Sequence, residues 1–85
     1  QRTRLNVADK LRTIFRESIV SVDYAQNIVV IKTMAGLANA AAAALDSMSI
    51  PYMVGSLAGD DTALLVMRDT ESARSFCDEI HEMLK

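Results

Sequence analysis

Two aspartates stand side by side in "GSLAGDDTALLVMR", residues 55–68. Asp60 and Asp61 fall between two runs that read as strands, which puts them at a hairpin tip. A tip does not need both, because adjacent like charges repel and turns form with one aspartate or none. Three chemistries suit the pair. The first is plain solvation, the commonest fate of Asp in a loop. The second is a hard divalent cation, which takes oxygen ligands such as these carboxylates. For that reading, a further Asp at metal-binding spacing is missing, and so is a Gly-rich loop that cradles phosphate. The third is an organic cation. A guanidinium or ammonium pairs with carboxylates through charge-assisted hydrogen bonds, and a planar guanidinium does so bidentately.

A second stretch bears on that choice. "AGLANAAAAALDSMS" (35–49) is Ala-rich, and Ala is the best helix former. Leu37, Ala41, Ala44, Leu45 and Met48 form the stripe expected to face a sheet. Asn39, Ala43 and Asp46 share another stripe, with Asn39 and Asp46 about 10 Å apart along the axis. The bland reading is a helix whose small side chains allow close packing. The functional reading is a shallow groove with a polar group at each end. A ligand with a charged group at both ends of an aliphatic stem fits such a groove. Its stem would lie on the methyls of Ala42 and Ala43. Asn39 and Asp46 would hold one end, and Asp60 or Asp61 the other. Arginine has that shape.

Other elements must position these groups. Residues 6–17 space Val7, Leu11, Ile14 and Phe15 at helical intervals, with Asn6 as cap. Residues 18–24 alternate, Val20, Val22 and Tyr24 against Ile19, Ser21 and Asp23, as a strand with one buried face does. Residues 28–33 are apolar on both faces and read as a central strand. Pro51 stops the Ala-rich helix. Residues 52–58 and 62–68 read as strands, with Gly59-Asp60 as a tight turn that has Gly at its first position. Residues 69–85 read as a helix capped by Asp69 or Thr70. Its apolar stripe holds Ala73, Phe76, Cys77, Ile80, Met83 and Leu84. Cys77 reads as a small core residue and His81 as a surface histidine. The predicted fold class is α+β: a two-layer sandwich in ββαββα order. A four-stranded sheet carries two helices on one face, after a short N-terminal helix. The bare sheet face needs a cover, and a second subunit is the expected one.

Bulk properties narrow the partners. The chain has 85 residues, 51% hydrophobic and 5% aromatic, enough for one small aliphatic domain. Net charge is -2, which argues against a nucleic-acid-binding surface over the whole domain. Five of the nine cations, Arg2, Arg4, Lys10, Arg12 and Arg16, crowd the first sixteen residues. They read either as a solvated helix face or as the neighbourhood of a nucleic-acid-binding part. A single cysteine allows no internal disulfide and fits a reducing cytoplasm. No apolar run approaches the ~20 residues of a membrane helix. The start "QRTRLN" carries neither an initiator Met nor a signal peptide, so the chain is expected to be a piece of something longer.

"VDYAQNIVVIKTMAG", the helix ending "ALDSM", and "GSLAGDDTALLVMR" together resemble the C-terminal domain of bacterial arginine repressors, over residues 10–85 and in the same element order. The Gly-Asp-Asp-Thr block, with "KTMAG" upstream of the helix, makes the likeness specific. Gly-Asp-Asp alone also occurs in viral polymerases, on a much larger fold. The resemblance implies a domain that forms trimers, with two trimers stacking into a hexamer. L-arginine would bind as corepressor where the trimers meet, with no other cofactor and no metal. An N-terminal winged helix-turn-helix, outside residues 1–85, would bind DNA. The site would comprise Asn39, Asp46, Ala58, Asp60, Asp61 and Thr62. This sequence departs from the family at Asn39, where Gln is frequent, and at Ala35, where Pro is frequent.

Two rivals come from other classes. The fold also resembles pterin carbinolamine dehydratases, but those use several active-site histidines and this chain has one. No nucleophile–base or acid–base pair stands out. The other rival is an oligomerisation module with a degenerate ligand site, against which the retained Asp60 and Asp61 weigh.

Overall fold

The apolar run at 28–33 and the run at 62–67 become the two central strands. The computed structural model describes residues 13, 15–47 and 50–84. Its strands are β1 (Ile19–Ala25), β2 (Ile28–Thr33), β3 (Met53–Ala58) and β4 (Thr62–Met67). They form one antiparallel sheet in the order β1-β2-β4-β3. Helix α1 (Ala38–Ser47) lies between β2 and β3 in the chain, and α2 (Thr70–Leu84) follows β4. α1 packs across β3 and β4, α2 across β1 and β2. The α+β sandwich in ββαββα order is therefore what this sequence forms. Of the N-terminal helix expected over 6–17, residues 13 and 15–18 are helical. Asn6 and the rest of that segment lie outside the described residues.

The pleat sorts side chains between the two faces. Val22, Val29, Ile31, Ala63, Leu65 and Met67 point toward the helices. There they meet Ala41, Ala44, Leu45, Ala73, Phe76, Cys77 and Ile80 in one buried cluster. Register fixes this: Val29 pairs with Leu65 and Ile31 with Ala63, so each pair enters the core together. Leu45 is fully buried, a contribution of about 1.5–3 kcal/mol from removing its side chain from water. The small alanines of α1 let the helix sit close to the sheet. Cys77 is buried as predicted, and burial pushes its thiol above the usual range.

Three expectations need correction. Val20 was expected on the same face as Val22 but is 66% exposed. A bulge between Ile19 and Ser21 inserts one residue and turns it to the bare face. Leu37 was placed on the buried helix stripe, yet it precedes α1 and is exposed, and Ala38 takes the inward position. Met48 lies outside the described residues. Gly59 was expected at the first position of a tight turn made by Gly59-Asp60. Among the described residues only Gln26 (φ 53°) and Gly36 (φ 81°) have positive φ. The Gly59 amide instead donates to the Thr62 carbonyl at 2.8 Å, leaving Asp60 and Asp61 as the tip.

Helix α2 is capped by Asp69, whose carboxylate accepts the Ser72 amide at 2.8 Å. Hydrogen bonding from Ser72, by its side chain first and its amide second, holds the Asp69 carboxyl below its ordinary value. His81 is exposed, as expected, but its Nε2 lies 3.0 Å from the Val22 carbonyl and ties α2 to β1.

The face away from the helices is the bare one. Val30, Leu64 and Leu57 form a row across three strands, with Ile28 and Val66 beside them. Leu57 is 72% exposed, and Val54 and Val20 are also open. Lys32, Ser21 and Asp23 border the row on its β1 side.

Candidate functional site

The two-residue tip is anchored by its backbone. The Asp61 carbonyl accepts the Thr33 amide at 2.7 Å. The Asp60 carbonyl accepts two amides, Gly36 at 3.1 Å and Ala38 at 3.2 Å. The last of these is the first residue of α1. The tip is therefore docked on the start of the Ala-rich helix, a link that the sequence did not reveal. The carbonyls face the protein, while both aspartates are exposed. The Asp61 carboxylate accepts the Thr62 hydroxyl at 3.1 Å. The Asp60 carboxylate has no hydrogen bond or ion pair among the described residues. The amino end of a helix carries partial positive charge, which moderates the repulsion between the neighbouring acids.

This docking changes one expectation. Asn39 and Asp46 were expected to hold one end of a ligand and the aspartate pair the other. Asn39 follows Ala38 and so stands at the tip's end of the helix. Asp46 is about two turns away, about 10 Å along the axis. Asn39, Ala43 and Asp46 are all exposed, as their shared stripe predicts. Ala42 is buried, so the exposed methyls between the polar ends belong to Ala40 and Ala43. Thr62 begins β4 and pairs with Lys32. Ala58 ends β3, half-buried, opposite Ala63.

Two features bear a cost without a structural return. Asp60 and Asp61 repel each other at a tip that any pair of turn formers would make. Asp46 sits in the last turn of α1, where the helix dipole disfavours an anion, and no basic residue offsets it there. Sequence reasoning also missed two neighbours, Met34 and Leu37, which are apolar and exposed in the loop that holds the tip. Met34 stands in the "KTMAG" segment and Leu37 directly follows it, and no periodicity in the sequence assigned either to a loop surface. Among the described residues no cluster of three or more His, Cys, Asp or Glu is gathered to hold a metal ion.

The family model described as "Arginine repressor, C-terminal domain" matches residues 15–82. The chain belongs to the arginine repressor C-terminal domain family. Proteins named Arginine repressor are similar to it along nearly its whole length. The one from Acetivibrio thermocellus is 51% identical over 79 residues, covering 93% of this chain and 52% of that protein. The one from Thermoanaerobacter sp. is 44% identical over 80 residues, covering 94% and 53%. That from Caldicellulosiruptor bescii is 46% identical over 80 residues, covering 94% and 50%. The chain thus spans about half the length of the curated relatives it matches. Family and relatives are named for repression, not catalysis, which removes the dehydratase alternative.

Proposed function

We propose that this domain senses L-arginine and assembles the repressor to which it belongs. Asp60 and Asp61 bind the ligand's positive charge. Asn39, Asp46, Ala58 and Thr62 complete the contacts, with the aliphatic stem along the exposed alanines of α1. The observation that carries this reading is the exposed acid pair docked on α1 of a family member, with the Asp60 carboxylate unpaired within the described chain. The domain self-associates as a trimer, its apolar Val30–Leu64–Leu57 row covered by further copies of the same chain. Two trimers stack into a hexamer at the acidic tips, beside the exposed Met34 and Leu37. The parent protein joins this domain to an N-terminal winged helix-turn-helix that binds DNA, and works in the cytoplasm.

The mechanism is electrostatic linkage. Without ligand, acids facing each other across the seam repel. Bound arginine replaces repulsion with paired charges and bridges the trimers. It favours the hexamer only by binding it more tightly than it binds free trimers. A hexamer presents several DNA-binding arms together, which raises their effective concentration on paired operators.

Sedimentation of the 85-residue chain at low concentration, with and without L-arginine, tests this. The expected result is a shift from trimer to hexamer with ligand. The same chain carrying Asp61→Ala should stay trimeric and give no heat with arginine in titration calorimetry. Identical sedimentation profiles would reject the linkage, and unchanged heat would remove Asp61 from the site.

A further inference from the structure

The loop that holds the acidic tip has a defined shape. The Leu37 amide donates to the Met34 carbonyl at 3.0 Å, closing a turn with Ala35 and Gly36 at its centre. Gly36 has φ 81°. A positive φ at the second central residue of a turn closed this way is the mark of a type II turn, which favours Gly there and Pro one residue earlier. The same turn orients the Gly36 and Ala38 amides at one acceptor, the Asp60 carbonyl. A Cβ added at Gly36 would meet no atom within 4 Å. The glycine is therefore required for backbone conformation and not for space.

We infer that the Met34–Leu37 turn is a positioning device for the acidic tip, with Gly36 and Ala35 setting how much of the time the tip is docked. The inference rests on the ligand reading above for its effect on affinity. Most other residues at Gly36 strain the left-handed conformation, Asn least among them. That strain is relieved if the turn opens and releases Asp60. A binding site that is competent for only part of the time binds ligand more weakly in proportion. Position 35 works the other way. Proline pre-sets φ near -65°, as the first central position of a type II turn requires. No described hydrogen bond uses the Ala35 amide, so its loss removes nothing. Ala35→Pro should hold the turn closed by restricting the open chain.

Calorimetric titration with L-arginine and thermal melting of four variants separate positioning from general stability. Gly36→Ala should weaken binding about ten-fold. Gly36→Asn should recover most of that loss, because Asn tolerates positive φ. Ala35→Pro should tighten binding about two- to three-fold. Gln26→Val is the control, since it strains the other positive-φ site, at the opposite end of the sheet. It should lower the melting temperature yet change affinity less than two-fold. Gly36→Ala binding within two-fold of the unaltered chain would overturn the inference. So would an equal loss in Gln26→Val, or weaker binding in Ala35→Pro. If the unaltered chain gives no heat with arginine, the ligand reading fails and amide exchange decides the positioning role. Gly36→Ala should then speed exchange at Thr33 and Ala38 while sparing Met67, and unchanged protection at all three would overturn it.

Discussion

The two hairpin tips of the sheet solve the same problem differently. The β1–β2 tip, Gln26 and Asn27, uses its polar groups on itself and its neighbour strand. The Asn27 carbonyl accepts the Met67 amide at 2.8 Å, and the Asn27 side-chain amide donates to the Met67 carbonyl at 3.2 Å. Gln26 bears a positive φ at this reversal. The β3–β4 tip, Asp60 and Asp61, has no left-handed residue and spends its carbonyls on the loop before α1. Its Asp60 carboxylate is left over among the described residues, while that of Asp61 accepts only the neighbouring Thr62 hydroxyl. One tip is built to close a chain, and the other holds acids outward on a fixed base. Side chains consumed within the fold report on stability, and the proposed ligand site draws on side chains kept out of it.

The largest break in that contrast should come from neutralising the acidic tip. Asp60→Asn with Asp61→Asn keeps turn-forming side chains and every backbone anchor. Arginine affinity should fall by more than about a hundred-fold, since hydrogen bonds to charged groups contribute about 1.5–3 kcal/mol each. The melting temperature in the absence of ligand should hold or rise, because the repulsion is gone. Calorimetry and thermal melting on one preparation check both. A double variant that melts far earlier would show the acids to be structural, and undiminished binding would clear them of the ligand.

A smaller effect of opposite kind is expected at the other tip. Asn27→Ala removes the bond to the Met67 carbonyl and should lower stability by about 1 kcal/mol. Arginine affinity should stay within two-fold. Chemical denaturation reads the first, and calorimetry the second. Loss of affinity in this variant would mean that the two ends of the sheet are coupled, and the contrast between them would fail.

Periodicity carried most of this fold. The apolar run at 28–33 predicted a central strand, and it is central, paired with the run at 62–67 that was expected only as a strand. The Ala-rich run and the stripe from Ala73 to Leu84 predicted the helices. What stayed hidden rests on backbone. The Ile19–Ser21 bulge turns Val20 outward without any mark in the side-chain pattern. The docking of Asp60 on the start of α1 runs through carbonyls and amides, which every residue has. The acids themselves were legible by type and adjacency. Their placement with Asn39, and Asp46's separation from both, required the three-dimensional path of the chain.

Asp69 supplies the smallest and sharpest contrast, as an aspartate employed within the fold. Its carboxylate accepts the Ser72 amide and starts α2. The folded chain therefore holds that carboxyl below 3.8, its ordinary value. A group depressed in this way stabilises above the unfolded value and loses that contribution as pH falls through the folded one. Asp69→Ala should lower the melting temperature slightly at pH 7, and the gap to the unaltered chain should narrow as pH falls below about 4. Asp60→Ala should open no such gap at pH 7, because its carboxylate holds no partner in the described chain. Melting curves of both variants from pH 7 to pH 2 decide the point. A gap for Asp69→Ala that persists undiminished at pH 2 would show that the side chain's volume, not its charge, was supporting α2. A gap for Asp60→Ala as large as that of Asp69→Ala would place Asp60 among the residues that serve the fold.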